Sequence, residues 1–357
     1  MSTVPAPTRS AADFRILFAG TPATAVPSLD ALVDAGFTVA AVLTRPDAPV
    51  GRKKVLTPSP VAARATELGL PVLYASRLTG DSGRETLDRI AALDLDAAAV
   101  VAYGALVPAA GLVLPRHGWV NLHFSLLPAY RGAAPVQHAV IQQEAQTGAC
   151  VFQLEEGLDT GPVYSRLVRD LAPGETAGDV LADLAISGAG LLTRTLAEIL
   201  SGEATAEPQR GEPTFAPKLD QSDGFIDPAC PAAEVAARIN GTTPEPGAWA
   251  WLEDPAAEAV AQVRVKLVGA TAEELPEPEV GAAAAGTSAA GATVGALVRG
   301  RQSVHLQCTD SAVRLVRVQP AGKKPMIAAD WARGLPAGAR FRTAEAAEAE
   351  SAEEETP

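Results

Sequence analysis

Short apolar runs alternating with amphipathic stretches organise the first two hundred residues. Runs that are uniformly apolar, or apolar at every second position, predict strands at Arg15–Ala19, Val39–Thr44, Val72–Tyr74, Ala97–Tyr103, Val120–Phe124 and Cys150–Glu155. Apolar positions recurring three and four apart predict helices at Val26–Ala35, Pro60–Leu68, Glu85–Leu93, Pro135–Gln143 and Ala177–Leu200. This alternation predicts an α/β fold, a doubly wound, mostly parallel Rossmann-like sheet with helices on both faces. Ala97–Tyr103 is apolar at every position, as a central strand buried on both sides must be.

The pattern changes after Leu200. Ser201–Ser222 is polar, carries Pro208, Pro213 and Pro217, and sustains no period, which marks a linker. A helix near Pro231–Asn240 then leads into short strands at Trp249–Leu252, Gln262–Leu267, Val294–Val298, Val304–Gln307 and Ala312–Val318. Repeated short strands of this kind predict a small C-terminal β-barrel of the OB-like type. The expected organisation is an α/β domain over 13–200, a linker over 201–222, the barrel over 223–342 and a disordered acidic tail over 343–357. Gly281–Gly291, almost all Ala, Gly, Ser and Thr, is expected as a loop insertion, and the polar Met1–Ala12 as an unstructured lead-in with no signal-peptide character.

At 357 residues, 47% hydrophobic and 20% charged, the chain has ordinary globular composition and room for two domains. Cys150, Cys230 and Cys308 are widely spaced, which disfavours a zinc site or a disulfide framework and fits a reducing cytosol. No apolar run approaches the roughly 18–20 residues of a membrane span, so no membrane association is expected. The net charge of −13 changes meaning once it is placed along the chain. Between Val294 and Arg342 nine Arg and Lys face only Asp310 and Asp330, a local +7. A basic segment in an acidic protein is either a solvated sheet face or a contact for a polyanion such as nucleic acid.

Candidate chemistry concentrates at Asn121-Leu-His-Phe-Ser-Leu-Leu-Pro-Ala-Tyr-Arg-Gly132. Strand side chains alternate faces, so Asn121, His123 and Ser125 project from one side and Phe124 from the other. An amide beside an imidazole can donate to a developing oxyanion and move a proton, as acyl chemistry requires. The segment Gly148–Gly161 brings Asp159 into a glycine-flanked turn; Asp159 is either a turn residue or the carboxylate partner of His123. Ligands of doubly wound sheets bind beyond the carboxyl ends of strands, where Asn121, His123 and Asp159 are expected to converge from the ends of consecutive strands. Phe18-Ala-Gly20-Thr-Pro22 opens like a nucleotide-binding fold but lacks Gly-x-Gly-x-x-Gly, and no acid ends the second strand, which argues against nicotinamide hydride transfer. His117, His138 and His305 have no partner pattern and read as surface or packing residues.

In joint order and spacing, these motifs resemble the 10-formyltetrahydrofolate-dependent formyltransferases. The resemblance rests on Asn121-Leu-His123, Ser125–Gly132 and Leu158-Asp159-Thr-Gly161, supported by Phe18–Pro22, Arg45-Pro-Asp47, Gly51-Arg-Lys-Lys54, Pro58-Ser-Pro60, Val101-Ala-Tyr-Gly104 and Gln319-Pro-Ala-Gly-Lys-Lys324. It runs from about Arg15 to Trp331 and is nearest to the members that formylate methionyl initiator tRNA. It implies a formyl donor, 10-formyltetrahydrofolate, with no metal, and an acceptor, the α-amino group of methionine on initiator tRNA. A small amine, on a ribonucleotide or an amino sugar, is the alternative acceptor. The resemblance further implies that Asn121 and His123 stabilise the oxyanion and that Asp159 holds His123 and takes part in proton transfer. Ser125, Leu126, Leu127 and Pro128 are implied to contact folate, with Val101, Tyr103, Gly104 and Leu158 lining its pterin slot. Arg45, Arg52, Lys53 and Lys54 are implied to meet the tRNA acceptor end, and Lys323 and Lys324 to grip the tRNA from the barrel. Arg131 is either a folate-carboxylate contact or a brace of its own loop. A cytoplasmic monomer is expected.

Overall fold

The computed structural model describes residues 10–51, 53–253, 263–273 and 293–345. Arg52, the Gly281–Gly291 insertion, most of Met1–Ala12 and most of the acidic tail lie outside the described residues. The chain divides into two compact units. One comprises Met1–Pro135, Gln146–Arg169 and Leu181–Pro217, the other Val136–Ala145, Asp170–Val180 and Lys218–Pro357.

The first unit is built on β1 (Arg15–Gly20), which pairs in parallel with β2 (Thr38–Thr44) on one side. The β1–β2 crossover is α1 (Val26–Asp34), whose Leu29 and Leu32 are buried. The exposed hairpin β3 (Ala48–Val50) and β4 (Val55–Thr57) follows, and then α2 (Pro60–Glu67), which Ser59 caps by accepting from the Ala62 amide. Next come β5 (Val72–Tyr74), parallel to β2, and α3 (Gly80–Ala91). The chain then returns to the other side of β1 through β6 (Ala97–Val101), and after α4 (Ala109–Leu112) adds β7 (Trp119–His123), both parallel. Strand order therefore reverses at β1 and β6, and the crevice beyond their carboxyl ends is the ligand position of such sheets. β6 is buried at all five residues, and Leu17, Leu43, Trp119 and Tyr103 share a core cluster.

Two short parallel strands, β8 (Arg131–Gly132) and β11 (Phe215–Ala216), form a separate ladder. α5 (Pro135–Ile141) follows β8; β9 (Gln146–Gln153) and β10 (Val163–Asp170) complete the seven-stranded order β10-β9-β7-β6-β1-β2-β5. β9 runs antiparallel to β7, pairing His123 with Cys150 and Val120 with Gln153. The carboxyl ends of these two strands lie at opposite ends of their ladder, contrary to the sequence expectation, and the return loop after β9 has to carry Asp159 back. β10, unpredicted, is an edge strand whose polar residues alternate into solvent and mask its period. α6 (Ala177–Ser201) is, by length and composition, apolar enough to cross a membrane, with a mean hydropathy of 1.3 in its richest window. This corrects the reading that no such run exists. Half of that window is buried inside the protein, and Gly188 packs against Leu122 of β7.

In the second unit α7 (Ala232–Gly241) buries Val235 and Ile239 in a core with Val265, Leu267, Leu306, Val313 and Phe341. The elements around that core are β12 (Ala248–Glu253), β13 (Val263–Glu273), β14 (Leu297–Arg299), β15 (Val304–Gln307), β16 (Ala312–Pro320), β17 (Met326–Ile327), α8 (Ala328–Ala332) and β18 (Arg340–Phe341). The sheet is antiparallel in the order β14-β15-β16-β13-β12-β18, with β17 on β16. A bridge between Ala296 and Arg340 joins its two ends, giving a nearly closed barrel.

Candidate active site

β7 ends at His123, and its alternation puts Asn121 and His123 on one face while Leu122 meets α6 on the other. His123 is buried, and its ring packs edge-on to Phe152 at 6.3 Å between centroids. Its Nε2 donates to the Tyr130 carbonyl at 3.0 Å, and its Nδ1 lies 3.8 Å from Asp159 Oδ2. Asp159 is also buried, at 9% exposure, so the carboxylate and the imidazole meet away from bulk water. The Gly132 amide donates to the same Oδ2 at 2.8 Å. Tyr130 sits at φ +59°, a left-handed conformation that costs a bulky residue about 1–2 kcal/mol, and Asp159 at φ +50°, a region that Asp enters more readily. Strain of this size persists only where surrounding bonds over-determine the loop.

Those bonds come from the Pro-rich stretch read as a linker. Gln209 donates from Nε2 to the carbonyls of Asp159 (2.7 Å) and Gly161 (2.8 Å) and accepts from Arg131 Nη2 at 2.6 Å. Thr214 accepts the Tyr130 amide on its hydroxyl at 2.8 Å and the Arg131 amide on its carbonyl at 2.8 Å. Gly132, at φ +126°, lets β8 lie so close to β11 that an added Cβ would stand 2.7 Å from the Ala216 carbonyl. The Asn121–Gly132 and Gly157–Gly161 segments are thus clamped by a third, 207–216. Sequence reasoning missed it: Gln209 is one polar residue in a Pro-bounded stretch, and nothing local marks it. Arg131 braces its own loop through Gln209, with a buried Nε that has no hydrogen-bond partner among the described residues.

Asn121 Oδ1 is likewise buried without a partner among the described residues. An unsatisfied buried acceptor costs about 1–3 kcal/mol, so this atom is open to a donor beyond the described residues.

The other residues expected to hold a ligand take several forms. Ser125 is buried and donates to the Ala129 carbonyl at 2.6 Å, tying off the turn through Leu126, Leu127 and Pro128, whose Leu127–Pro128 bond is cis. Leu127 packs with Cys150, Phe152 and Val163, and Leu126 approaches Gly148. Leu158, beside Asp159, is half exposed. Val101 is fully buried; Tyr103 turns its ring into the core, where its hydroxyl donates to the Ala75 carbonyl at 2.9 Å and burial pushes its pKa up to about 12. The Val101–Gly104 segment therefore offers a ligand backbone, since Ala102 and Gly104 are exposed at positive φ. Thr21 donates to the Tyr103 carbonyl and Arg45 to the Gly104 carbonyl, which ties the ends of β1, β2 and β6 together.

The basic residues are arranged otherwise. Lys53 and Lys54 are exposed at the tip of the β3–β4 hairpin, beside the exposed Val50, Val55 and Leu56. Lys323 and Lys324 are exposed on the β16–β17 turn, where the Lys323 carbonyl accepts from Gln319 at 3.0 Å.

Residues 14–196 match the Formyl transferase family, and residues 218–336 match the Formyl transferase, C-terminal domain family. Among curated relatives, the methionyl-tRNA formyltransferase of Arthrobacter sp. (strain FB24) is 54% identical over 320 residues, 90% of this chain and 96% of that protein. That of Paenarthrobacter aurescens (strain TC1) is 54% identical over 321 residues, covering 90% and 97%. A solved N-formyltransferase from Helicobacter canadensis, in complex with folinic acid and dTDP-3-aminofucose, shares the fold with a TM-score of 0.59 at 15% identity, covering 85% of this chain and 98% of that one.

Proposed function

The chain belongs to the formyl transferase family, and on that premise we propose that it formylates the α-amino group of methionyl initiator tRNA, with 10-formyltetrahydrofolate as donor. Roughly half identity over nine-tenths of the chain to two methionyl-tRNA formyltransferases is the observation that carries the acceptor.

The site chemistry agrees with that reading. The amine nitrogen bonds to the formyl carbon, the bond from that carbon to N10 breaks, and one amine proton ends on N10. Negative charge grows on the formyl oxygen on the way. We assign Asn121 and His123 to that charge, His123 through its Nδ1 edge because its Nε2 is bonded to the Tyr130 carbonyl; loss of one such donor costs about 3–4 kcal/mol in a preorganised site. The buried Asn121 Oδ1 without a partner among the described residues is a fitting acceptor for an incoming N–H. Asp159, 3.8 Å from the imidazole and fixed by Gly132, is assigned to orient His123 and to take part in moving the amine proton. The turn Ser125–Pro128 with Leu158 and the exposed backbone at Ala102 and Gly104 is the surface we assign to the folate ring. Lys53, Lys54, Lys323 and Lys324, with Arg45 and Arg52, are assigned to tRNA phosphates, which position RNA without reading sequence. The work site is the cytoplasm, where charged initiator tRNA is made.

The deciding experiment offers the purified protein 10-formyltetrahydrofolate with either methionyl initiator tRNA or an amino-sugar nucleotide and follows formyl transfer. Formylation of the tRNA alone is expected. Formylation of the amino sugar alone would overturn the acceptor and keep the chemistry.

A further inference from the structure

We infer that Gln209 is a positioning residue of the reaction centre, acting through Asp159, and that the segment 207–216 is a catalytic strap. The kinetic half of this inference rests on formyl transfer; the structural half does not. Both hydrogens of the Gln209 amide are used, one on the Asp159 carbonyl and one on the Gly161 carbonyl, at 2.7 and 2.8 Å. Its Oε1 accepts from Arg131, the residue between Tyr130, whose carbonyl receives the His123 proton, and Gly132, whose amide holds the Asp159 carboxylate. One side chain therefore joins the two loops that set the His123–Asp159 distance. Each of those loops contains a non-glycine residue at positive φ, Tyr130 in one and Asp159 in the other, so each would relax if released. The Gly132 amide fixes the Asp159 carboxylate and Gln209 fixes its backbone. The strap itself is anchored independently of Gln209, by the Val163–Glu207 bridge and the β8–β11 ladder. Loss of the Gln209 amide should therefore loosen Asp159 and leave the unit folded.

The test compares Gln209→Leu and Gln209→Glu with the native chain. Leu removes all three bonds at similar bulk; Glu keeps an acceptor for Arg131 but turns oxygens toward two carbonyls. In both variants kcat is expected to fall about 10- to 100-fold, because misplacement by about 1 Å costs that much, while KM for donor and acceptor stays within about threefold. Amide hydrogen exchange supplies a readout independent of turnover. The Gly132 amide, protected by Asp159 Oδ2, is expected to exchange at least about tenfold faster in both variants, while the Ala98 amide, bonded to Gly118 across the sheet, is unchanged. Unchanged kcat with unchanged Gly132 protection would overturn the inference. So would a uniform loss of protection at Gly132 and Ala98, which would make Gln209 a general stabiliser. If the native chain formylates no amine, the function reading fails and the exchange data still decide the strap.

Discussion

The loops assigned to catalysis and the basic surfaces assigned to tRNA are built on opposite principles. His123 and Asp159 are buried and held by several bonds from three separate segments. The lysines assigned to tRNA stand in water on a hairpin tip and a turn. Proton transfer needs atoms fixed to fractions of an ångström, whereas phosphate attraction acts over a Debye length of about 8–10 Å and tolerates a mobile side chain. A mutation in the first set should therefore appear in kcat, and one in the second in acceptor affinity and its salt dependence.

The strongest break of that contrast is expected at the pair itself. His123→Ala and Asp159→Asn are each predicted to lower kcat by about 10³-fold or more, with thermal midpoint and tRNA affinity close to native. Rapid-quench turnover alongside tRNA titration checks this, and retained turnover in either variant would remove that residue from the mechanism. Asn121→Ala comes next, with an expected loss of about 10²-fold in kcat and little change in KM. A KM-only effect there would make Asn121 a binding residue. Below both, Lys323→Ala with Lys324→Ala should leave kcat at saturating tRNA intact and weaken acceptor affinity. The slope of log K against log salt should flatten by at most about 1.8, near 0.9 for each phosphate that is no longer neutralised. An unaltered slope would take the β16–β17 turn out of the interface.

The same contrast explains which features are legible in the residues alone. The parallel strands announce themselves because burial on both faces demands uninterrupted apolar runs, as at Ala97–Val101. The residues assigned to the reaction can be picked out too, because Asn121 and His123 share a face by period two and Asp159 stands in a glycine-flanked turn. The edge strand Val163–Asp170 is not, since its outward residues include Arg and Asp. Nor is the hairpin around Lys53 and Lys54, whose strands bury nothing. Gln209 is invisible for another reason: its role is tertiary, fifty residues from Asp159, and no local pattern records a long-range hydrogen bond. The route of Asp159 to His123 is also misjudged from the residues, because the direction of β9 depends on its ladder with β7 and not on its own side chains.

The smallest expected effect belongs to a histidine outside the assigned chemistry. His305 on β15 is 3% exposed, with Nε2 3.6 Å from Glu273 Oε2 and Nδ1 buried without a partner among the described residues. Arg314 lies on the far oxygen of the same Glu273 at 3.5 Å. Burial lowers the His305 pKa below its ordinary 6.5, and Arg314 adds to the lowering, while Glu273 opposes it without winning. The folded second unit therefore holds His305 neutral where the unfolded chain takes up a proton. Acidification costs stability wherever the unfolded state binds more protons, so this contribution is complete above about pH 6.5 and is lost as pH drops from there toward the folded value. Replacing the ring by His305→Gln removes the titration and keeps a polar group beside Glu273. The thermal midpoint of the native chain should decline more steeply than that of the variant between about pH 7 and 5, and the two curves should run parallel above about pH 7. Parallel curves over the whole range would show that His305 exchanges its proton equally in both states. In that case the buried ring would be, like Trp119 in the first unit, a packing residue with no part in the pH response.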